Sequence, residues 1–185
     1  MVAKGFSCSF LLMTCCLVFS LVHSENMSLN DTFDEKPQER WRFVTDQVMG
    51  GLSTGRLRFD VLREQPIAHM TGDVSTANNG GFIQFRRKIS APENSSGIEI
   101  RARGNGEKYF IHLRTSGTLL PWQYYQASFE TSQDWKTIRI PFSKFYGSSD
   151  WLDKVFYSSL IRSLGIVAYG RDHRADVMVS HIGFY

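Results

Sequence analysis

Two glycine-rich segments constrain this chain more than anything else in it. The first runs Trp41-Arg-Phe-Val-Thr-Asp-Gln-Val-Met-Gly-Gly-Leu-Ser-Thr-Gly55, the second Asn78-Asn-Gly-Gly-Phe-Ile-Gln-Phe-Arg86. Neither shows the apolar period of a helix. Each sets paired glycines where a β-like run begins or ends, so both read as fixed backbone corners in a β protein. Gly50 and Gly51 permit positive φ or a close backbone approach that a side chain would block. Neither segment holds a nucleophile–base pair, a metal cluster or a phosphate loop, so the chain shows its fold more plainly than its chemistry.

From Trp41 onward, short β-like runs follow one another. Gly55 to Val61 alternates, with Leu57, Phe59 and Val61 on one face; Ile67 to Val74 and Gly81 to Ile89 follow. Gly97 to Arg103 alternates cleanly, Ile98, Ile100 and Ala102 one way and Glu99, Arg101 and Arg103 the other. Gly104-Asn-Gly-Glu107 is a turn signal, and Tyr109 to Arg114 is expected to return as the hairpin partner. Tyr124 to Glu130, Trp135 to Ile140, Leu164 to Tyr169 and Val177 to Tyr185 complete about nine or ten strands, with a short helix expected within Trp151 to Leu160. No helical pattern lies between strands, which disfavours a parallel βαβ architecture. The expected fold is all-β, an antiparallel sandwich or jelly roll with at most one or two short helices. Trp41, Trp135 and Phe142 are assigned to the interior.

The N-terminus has a different texture. Lys4 precedes an uncharged, mostly apolar run from Phe6 to Val22, and Val22-His-Ser24 offers small residues for cleavage. This is the layout of a secretory signal peptide over residues 1–24, with an uncleaved signal anchor as the competitor. A mitochondrial leader should be Arg-rich, and no Arg occurs before Arg40. Cys8, Cys15 and Cys16 all lie in this run, so a mature chain carries neither disulfides nor thiol chemistry. Residues 25–39 are polar and acidic and read as a flexible lead-in, which leaves 40–185 as one domain. Asn26, Asn30 and Asn94 begin glycosylation sequons, half of the six asparagines in the chain. Together these features predict a glycoprotein of the secretory pathway or the extracellular space, with no membrane attachment after cleavage.

The ordered set Trp41, Val44, Asp46, Val48-Met-Gly-Gly51 and Ser53, then Gly80-Gly-Phe82 with Arg86, carries a resemblance. So do Gly97-Ile with Arg101-Ala-Arg-Gly-Asn-Gly106, Tyr109, Phe129, Trp135, Ile140-Pro-Phe142, Phe145, Ile166 and Ile182-Gly-Phe-Tyr185. Over roughly Arg40 to Tyr185 the chain resembles the complex I intermediate-associated protein 30 family. The resemblance implies a galactose-binding-like β-sandwich and a non-catalytic, chaperone-like assembly role. It makes Trp41, Asp46, Met49, Gly50, Gly51, Ser53, Gly80, Gly81 and Phe82 a structural signature. The best-known member resembles a mitochondrial assembly chaperone for respiratory complex I, whereas the leader here reads as secretory.

The candidate sites are modest. Asp46 either contacts a ligand or closes an Asx-type turn by accepting backbone N–H groups, and the turn is the favoured reading. Ser53 has no neighbouring base in sequence. His69, His112, His173 and His181 share no metal-ligand spacing, and Asp172, His173 and Asp176 read as a solvated loop. Arg86, Arg101, Arg103 and Tyr109 either form a polar binding face or an ordinary exposed sheet face in which arginine pairs with Glu99. Trp122, Tyr124 and Tyr125 follow a proline; their rings either anchor a ligand or pack inside.

The net charge of +3 is small and the basic residues are scattered along the sequence, which gives no nucleic-acid footprint. No cofactor, metal or catalytic constellation is expected. The function expected is a non-catalytic binding or assembly domain acting on a protein partner. The alternatives are a carbohydrate-binding module and, were the leader mitochondrial, a complex I assembly factor. A hydrolase finds no acid–base pair at credible spacing.

Overall fold

The computed structural model describes residues 29–185 and builds them into two six-stranded antiparallel sheets packed face to face. The strands are β1 (Asn30–Asp31), β2 (Arg42–Thr45), β3 (Thr54–Leu62), β4 (Gln65–Val74), β5 (Phe82–Lys88) and β6 (Gly97–Gly104). They continue as β7 (Lys108–Thr115), β8 (Tyr125–Glu130), β9 (Lys136–Pro141), β10 (Tyr146–Gly147), β11 (Ile161–Tyr169) and β12 (His173–Phe184). The first sheet has the order β3-β4-β12-β6-β9, with β1 paired to β12; the second has the order β10-β8-β7-β11-β5-β2. Among the described residues the helical content is one turn, Pro37–Arg40, and four 3-10 turns. The helix expected within 151–160 is a single 3-10 turn, Ser158–Leu160.

Alternation places the interior. Ile98, Ile100 and Ala102 on β6 face Tyr109, Ile111 and Leu113 on β7 across the sandwich, and all six are essentially inaccessible to solvent. The expected β6–β7 hairpin does not form. β6 pairs with β12 and β9, while β7 pairs with β11 and β8, so the Gly104–Glu107 turn crosses from one sheet to the other. Alternation fits both topologies, because either one buries the same faces. The crossover is sealed by Tyr109, whose hydroxyl donates to Asn105 Oδ1 (2.8 Å) and accepts from the Asp176 backbone N–H (2.8 Å). A tight hairpin lies instead between β3 and β4, where Arg63 and Glu64 take positive φ (49° and 66°) without any glycine to announce it.

The segment expected to be a flexible lead-in is packed from Leu29 onward. β1 joins β12, and Leu29 and Phe33 are buried. Phe33 sits 5.5 Å from the Trp41 ring, which in turn lies 5.2 Å from Phe85. Asp31 explains why. Its buried carboxylate takes an ion pair from Arg87, a second from Arg40 (3.1 Å) and a hydrogen bond from Trp41 Nε1 (2.9 Å). Arg87 points inward between the sheets and needs a counter-charge there, because a buried charge without a partner is costly. A polar composition concealed this role. Residues 1–28, with the signal peptide and Asn26, lie outside the described residues.

Candidate functional site

Asp46 ties the two glycine corners together. Its carboxylate accepts from Ser53 N (2.9 Å), Ser53 Oγ (2.5 Å), Gly81 N (2.5 Å) and Phe82 N (3.2 Å). The expected local Asx turn is thus a longer-range clasp between segments about 35 residues apart. Burial raises the carboxyl pKa, but the donors from Gly81, Ser53 and Phe82 outweigh it and leave the group below its ordinary value. Gly51 and Gly80 are required by approach: a Cβ on either would lie 2.3–2.4 Å from an Asp46 carboxylate atom. Gly50 takes φ +89° and ends the 3-10 turn Asp46–Met49.

That turn carries Val48 and Met49 outward, 76% and 61% exposed, to the rim of a cleft on the outer face of the second sheet. Met49, assigned to the structural signature, therefore packs against nothing in the interior and borders the cleft. The floor comes from residues that alternate outward on β5, β11 and β7. Register sets Arg86 opposite Gly165 and Gly165 opposite His112; it sets Gln84 opposite Val167, and Ser163 between Lys88 and Arg114. Gly165 keeps the middle of the floor low, since a Cβ there would lie 3.1 Å from Gln84 Oε1 and 3.3 Å from Arg86 Cβ.

The cleft has two halves that share Arg86, Arg114 and Ser163. One half, about 460 Å³, is aromatic. Tyr124 stacks on His112 (centroids 4.0 Å, 11° between planes), Tyr169 meets the imidazole edge-on at 5.7 Å, and Trp122 stands at the border, 61% exposed. Its lining contains no carboxylate. Burial pushes the His112 pKa down to about 3, so the imidazole is neutral at physiological pH, and its Nε2 finds no partner among the described residues. Burial, reinforced by the Tyr169 hydroxyl, pushes the Tyr124 phenol upward, so it too stays protonated. The other half, about 910 Å³, is cationic, with Arg42, Arg86, Lys88, Arg114 and Arg162.

Two of the six ligand-binding candidates from sequence, Arg86 and Trp122, come together here. The other four do not. Tyr109 and Tyr125 are buried, 0% and 3% exposed, Tyr125 against Phe156 with ring centroids 4.5 Å apart. Arg101 and Arg103 lie on the outer face of the first sheet, where both stack over Trp135 (5.0 and 5.5 Å). Trp135 is consequently half-exposed and not an interior residue, and Glu99 pairs with Arg139, not with Arg101 or Arg103. The face opposite the interior is different for Arg86 and for Arg101 because their strands belong to different sheets. His112, Gln84, Arg114, Gly165 and Tyr169 were missed; their one signal was outward alternation, which every strand shows. Asp172 binds Thr76 N and Oγ1 (2.6 and 2.7 Å), bridging loops instead of standing free in solvent. Asn30 and Asn94 are exposed, Asn30 with its Oδ1 2.8 Å from His181 Nε2.

Fold and cleft together define an all-β jelly roll of the shape shared by carbohydrate-binding modules. The chain belongs to the Complex I intermediate-associated protein 30 (CIA30) family, whose model matches residues 31–174. No curated protein sequence matches it. Among solved structures, it is similar to a family 11 carbohydrate-binding module from Clostridium thermocellum in complex with a β-1,3-1,4-mixed-linked tetrasaccharide. That match has TM-score 0.67 and 15% identity, covering 85% of this chain and 94% of that one. The family 11 module of the cellulosomal cellulase Lic26A-Cel5E of the same organism matches with TM-score 0.67 and 15% identity, covering 83% and 91%. An exo-β-agarase matches at TM-score 0.52 and 8% identity over 85% of this chain and 25% of that one. At these identities the likeness is one of fold.

Proposed function

We propose that this chain is a non-catalytic binding domain that engages a protein partner in the secretory pathway or outside the cell, using the second-sheet cleft as its docking surface. The observation that carries the proposal is the cleft itself. It is an open floor of side chains on three adjacent strands, flanked by exposed apolar residues on both sides, Val48 and Met49 on one and Trp122 on the other. Aromatic anchors beside arginines are what binding surfaces use. Membership of the CIA30 family supports an assembly role. The leader over residues 1–24 and the exposure of Asn30 and Asn94 support the secretory location.

A second reading, glycan binding by the same cleft, is favoured by a specific observation. Rings (Trp122, Tyr124, Tyr169) stand next to polar groups (Gln84, Arg86, Arg114), the pairing that sugar recognition needs, and the family 11 module of the same fold was solved with a tetrasaccharide. The two readings meet in a protein partner recognised through its attached glycan.

N-terminal sequencing and glycan analysis of the protein from expressing cells test location: a start near Glu25 supports the secretory route, and a retained Met1 with Asn30 and Asn94 unglycosylated sinks it. A glycan array run beside a pull-down tests the cleft. Capture of one defined glycoprotein, lost on Trp122→Ala and on enzymatic deglycosylation, supports both readings. Capture that survives Trp122→Ala removes the cleft from the proposal.

A further inference from the structure

We propose that the two halves of the cleft together bind an acidic oligosaccharide, a sugar chain bearing sulfate or carboxylate groups. The neutral ring faces lie towards Trp122 and the anionic groups over Arg42, Arg86, Lys88, Arg114 and Arg162. This inference rests on the glycan reading of the same cleft.

The fold gathers what the sequence scatters. Arg42 on β2 lies directly opposite Arg86 on β5, and Lys88 and Arg114 flank Ser163 in the neighbouring row. The shift in register between Ile161 and Ser163 on β11 leaves Arg162 as an extra, exposed residue on the same border. Like charges directly opposite one another on paired strands are destabilising. None of these five has a carboxylate within 4.0 Å among the described residues. Four arginines outside this group have carboxylate partners, Arg139 with Glu99, Arg171 with Glu107, and Arg40 and Arg87 with Asp31, while Arg101 and Arg103 rest on the Trp135 ring. The single carboxylate lining the cationic half, Glu39, is turned to Lys36 at 3.3 Å. Backbone carbonyls accept from two of the five, Leu120 O from Arg114 (2.9 Å) and Ser159 O from Arg162 (2.7 Å), but no carboxylate offsets the charge, and an anion from outside would.

The shape and the donors select the class. Arg86, Arg114 and Ser163 line both halves, so one elongated ligand touches rings at one end and guanidinium groups at the other. Four of the five cations are arginines, whose planar forks match the paired oxygens of sulfate and carboxylate. The floor strands β5, β11 and β7 are interior to their sheet, bonded on both sides. An extended acidic peptide laid across them finds no strand edge for its amides, whereas a sugar needs only side chains and water. Gly165 keeps the floor flat between Arg86 and His112, where a chain of rings must lie.

The test is calorimetric titration of the described domain with five probes of similar length: a heparin-derived octasaccharide, an octagalacturonide, a neutral β-1,3-1,4-glucan octasaccharide, poly-glutamate and a single-stranded oligonucleotide. The acidic sugars are expected to bind about tenfold or more tightly than the neutral one. Arg42→Gln with Arg86→Gln should remove most of that margin and reduce the salt dependence. Trp122→Ala should weaken acidic and neutral sugars alike. Arg56→Gln with Arg58→Gln, exposed cations on β3 of the other sheet, should change nothing. Thermal melts check folding, and relieving the Arg42–Arg86 repulsion should leave the midpoint unchanged or raised. If the neutral sugar binds as well as the acidic ones and depends on Trp122, the inference fails and the glycan reading stands. If no sugar binds, both fail. If poly-glutamate or the oligonucleotide binds as tightly as the acidic sugars and Trp122→Ala has no effect, the surface is a general polyanion binder and the inference fails.

Discussion

The Asp46 carboxylate fills the space that a side chain on Gly51 would need, with Cγ 2.3 Å from the position of such a Cβ. Four donors hold that carboxylate in place, so it cannot swing aside without abandoning them. Gly51→Ala should therefore cost about 3 kcal/mol or more, the range for breaking a buried network of hydrogen bonds to a charged group. Gly50→Ala, where nothing lies within 4 Å and only the positive φ is at stake, should cost about 1 kcal/mol. Urea denaturation midpoints compare the two directly; equal losses would show that the clasp is not what demands glycine.

Asp31 and Arg87 form the second such relationship. Arg87 is 7% exposed and Asp31 3%; removing Asp31 strands Arg87, whereas Asp31 without Arg87 would keep Arg40 and Trp41. Asp31→Asn should destabilise the domain by about 3–5 kcal/mol, and deletion of residues 1–36 should do at least as much, since it also removes Leu29 and Phe33 from the interior. Burial raises the Asp31 pKa, but hydrogen bonds from Arg40, Phe33 N and Trp41 prevail and hold it below 3.8. Its contribution to stability is therefore present above the ordinary value and fades as pH falls through the depressed one. Thermal melts of the truncated chain that matched the full one would restore the flexible lead-in.

His112 gives a pH signature at a different place. Its pKa falls from 6.5 in the unfolded chain to about 3 in the folded one, through burial. Below pH 6.5 the unfolded state gains a proton that the folded state refuses, so stability declines with acidification. The slope is at most about 1.4 kcal/mol per pH unit. The carboxylates Asp31 and Asp46 add their own losses only nearer pH 4. Between pH 6.5 and 5, wild type should lose stability faster than His112→Gln; parallel curves in that window would contradict a neutral, half-buried imidazole.

Trp122 and Tyr125 lie three residues apart and should behave oppositely. Trp122→Ala removes a ring 61% exposed at the cleft and should change stability by no more than about 0.5 kcal/mol while weakening ligand binding. Tyr125→Ala empties a buried place against Phe156 and should cost about 3–5 kcal/mol. Denaturation midpoints beside binding isotherms separate the two roles.

Much of the architecture was legible in single strands. The alternation of Ile98, Ile100 and Ala102, the corners at Gly50-Gly51 and Gly80-Gly81, and the absence of helical periods point to a sandwich, and the signature residues point to the family that the chain matches. The Arg63-Glu64 hairpin was not legible, because its positive φ values fall on residues that do not advertise them. Nor was the packing of Leu29 and Phe33, hidden in a polar stretch.

The sequence by itself determined the β pattern, the two glycine corners and the family, because these depend on residue spacing along the chain. Only the tertiary structure decided the site. Alternation tells which residues share a face of one strand, yet it cannot say which sheet the strand joins or which face the other sheet covers. That choice buried Tyr109 and Tyr125, sent Arg101 and Arg103 to one side and Arg86 to the other, and brought Arg42, Arg86 and Arg114 together from strands far apart in sequence. The physical reason is that burial is a property of the closed sandwich: a face becomes a cleft or an interior only when the strands that flank it have found their places.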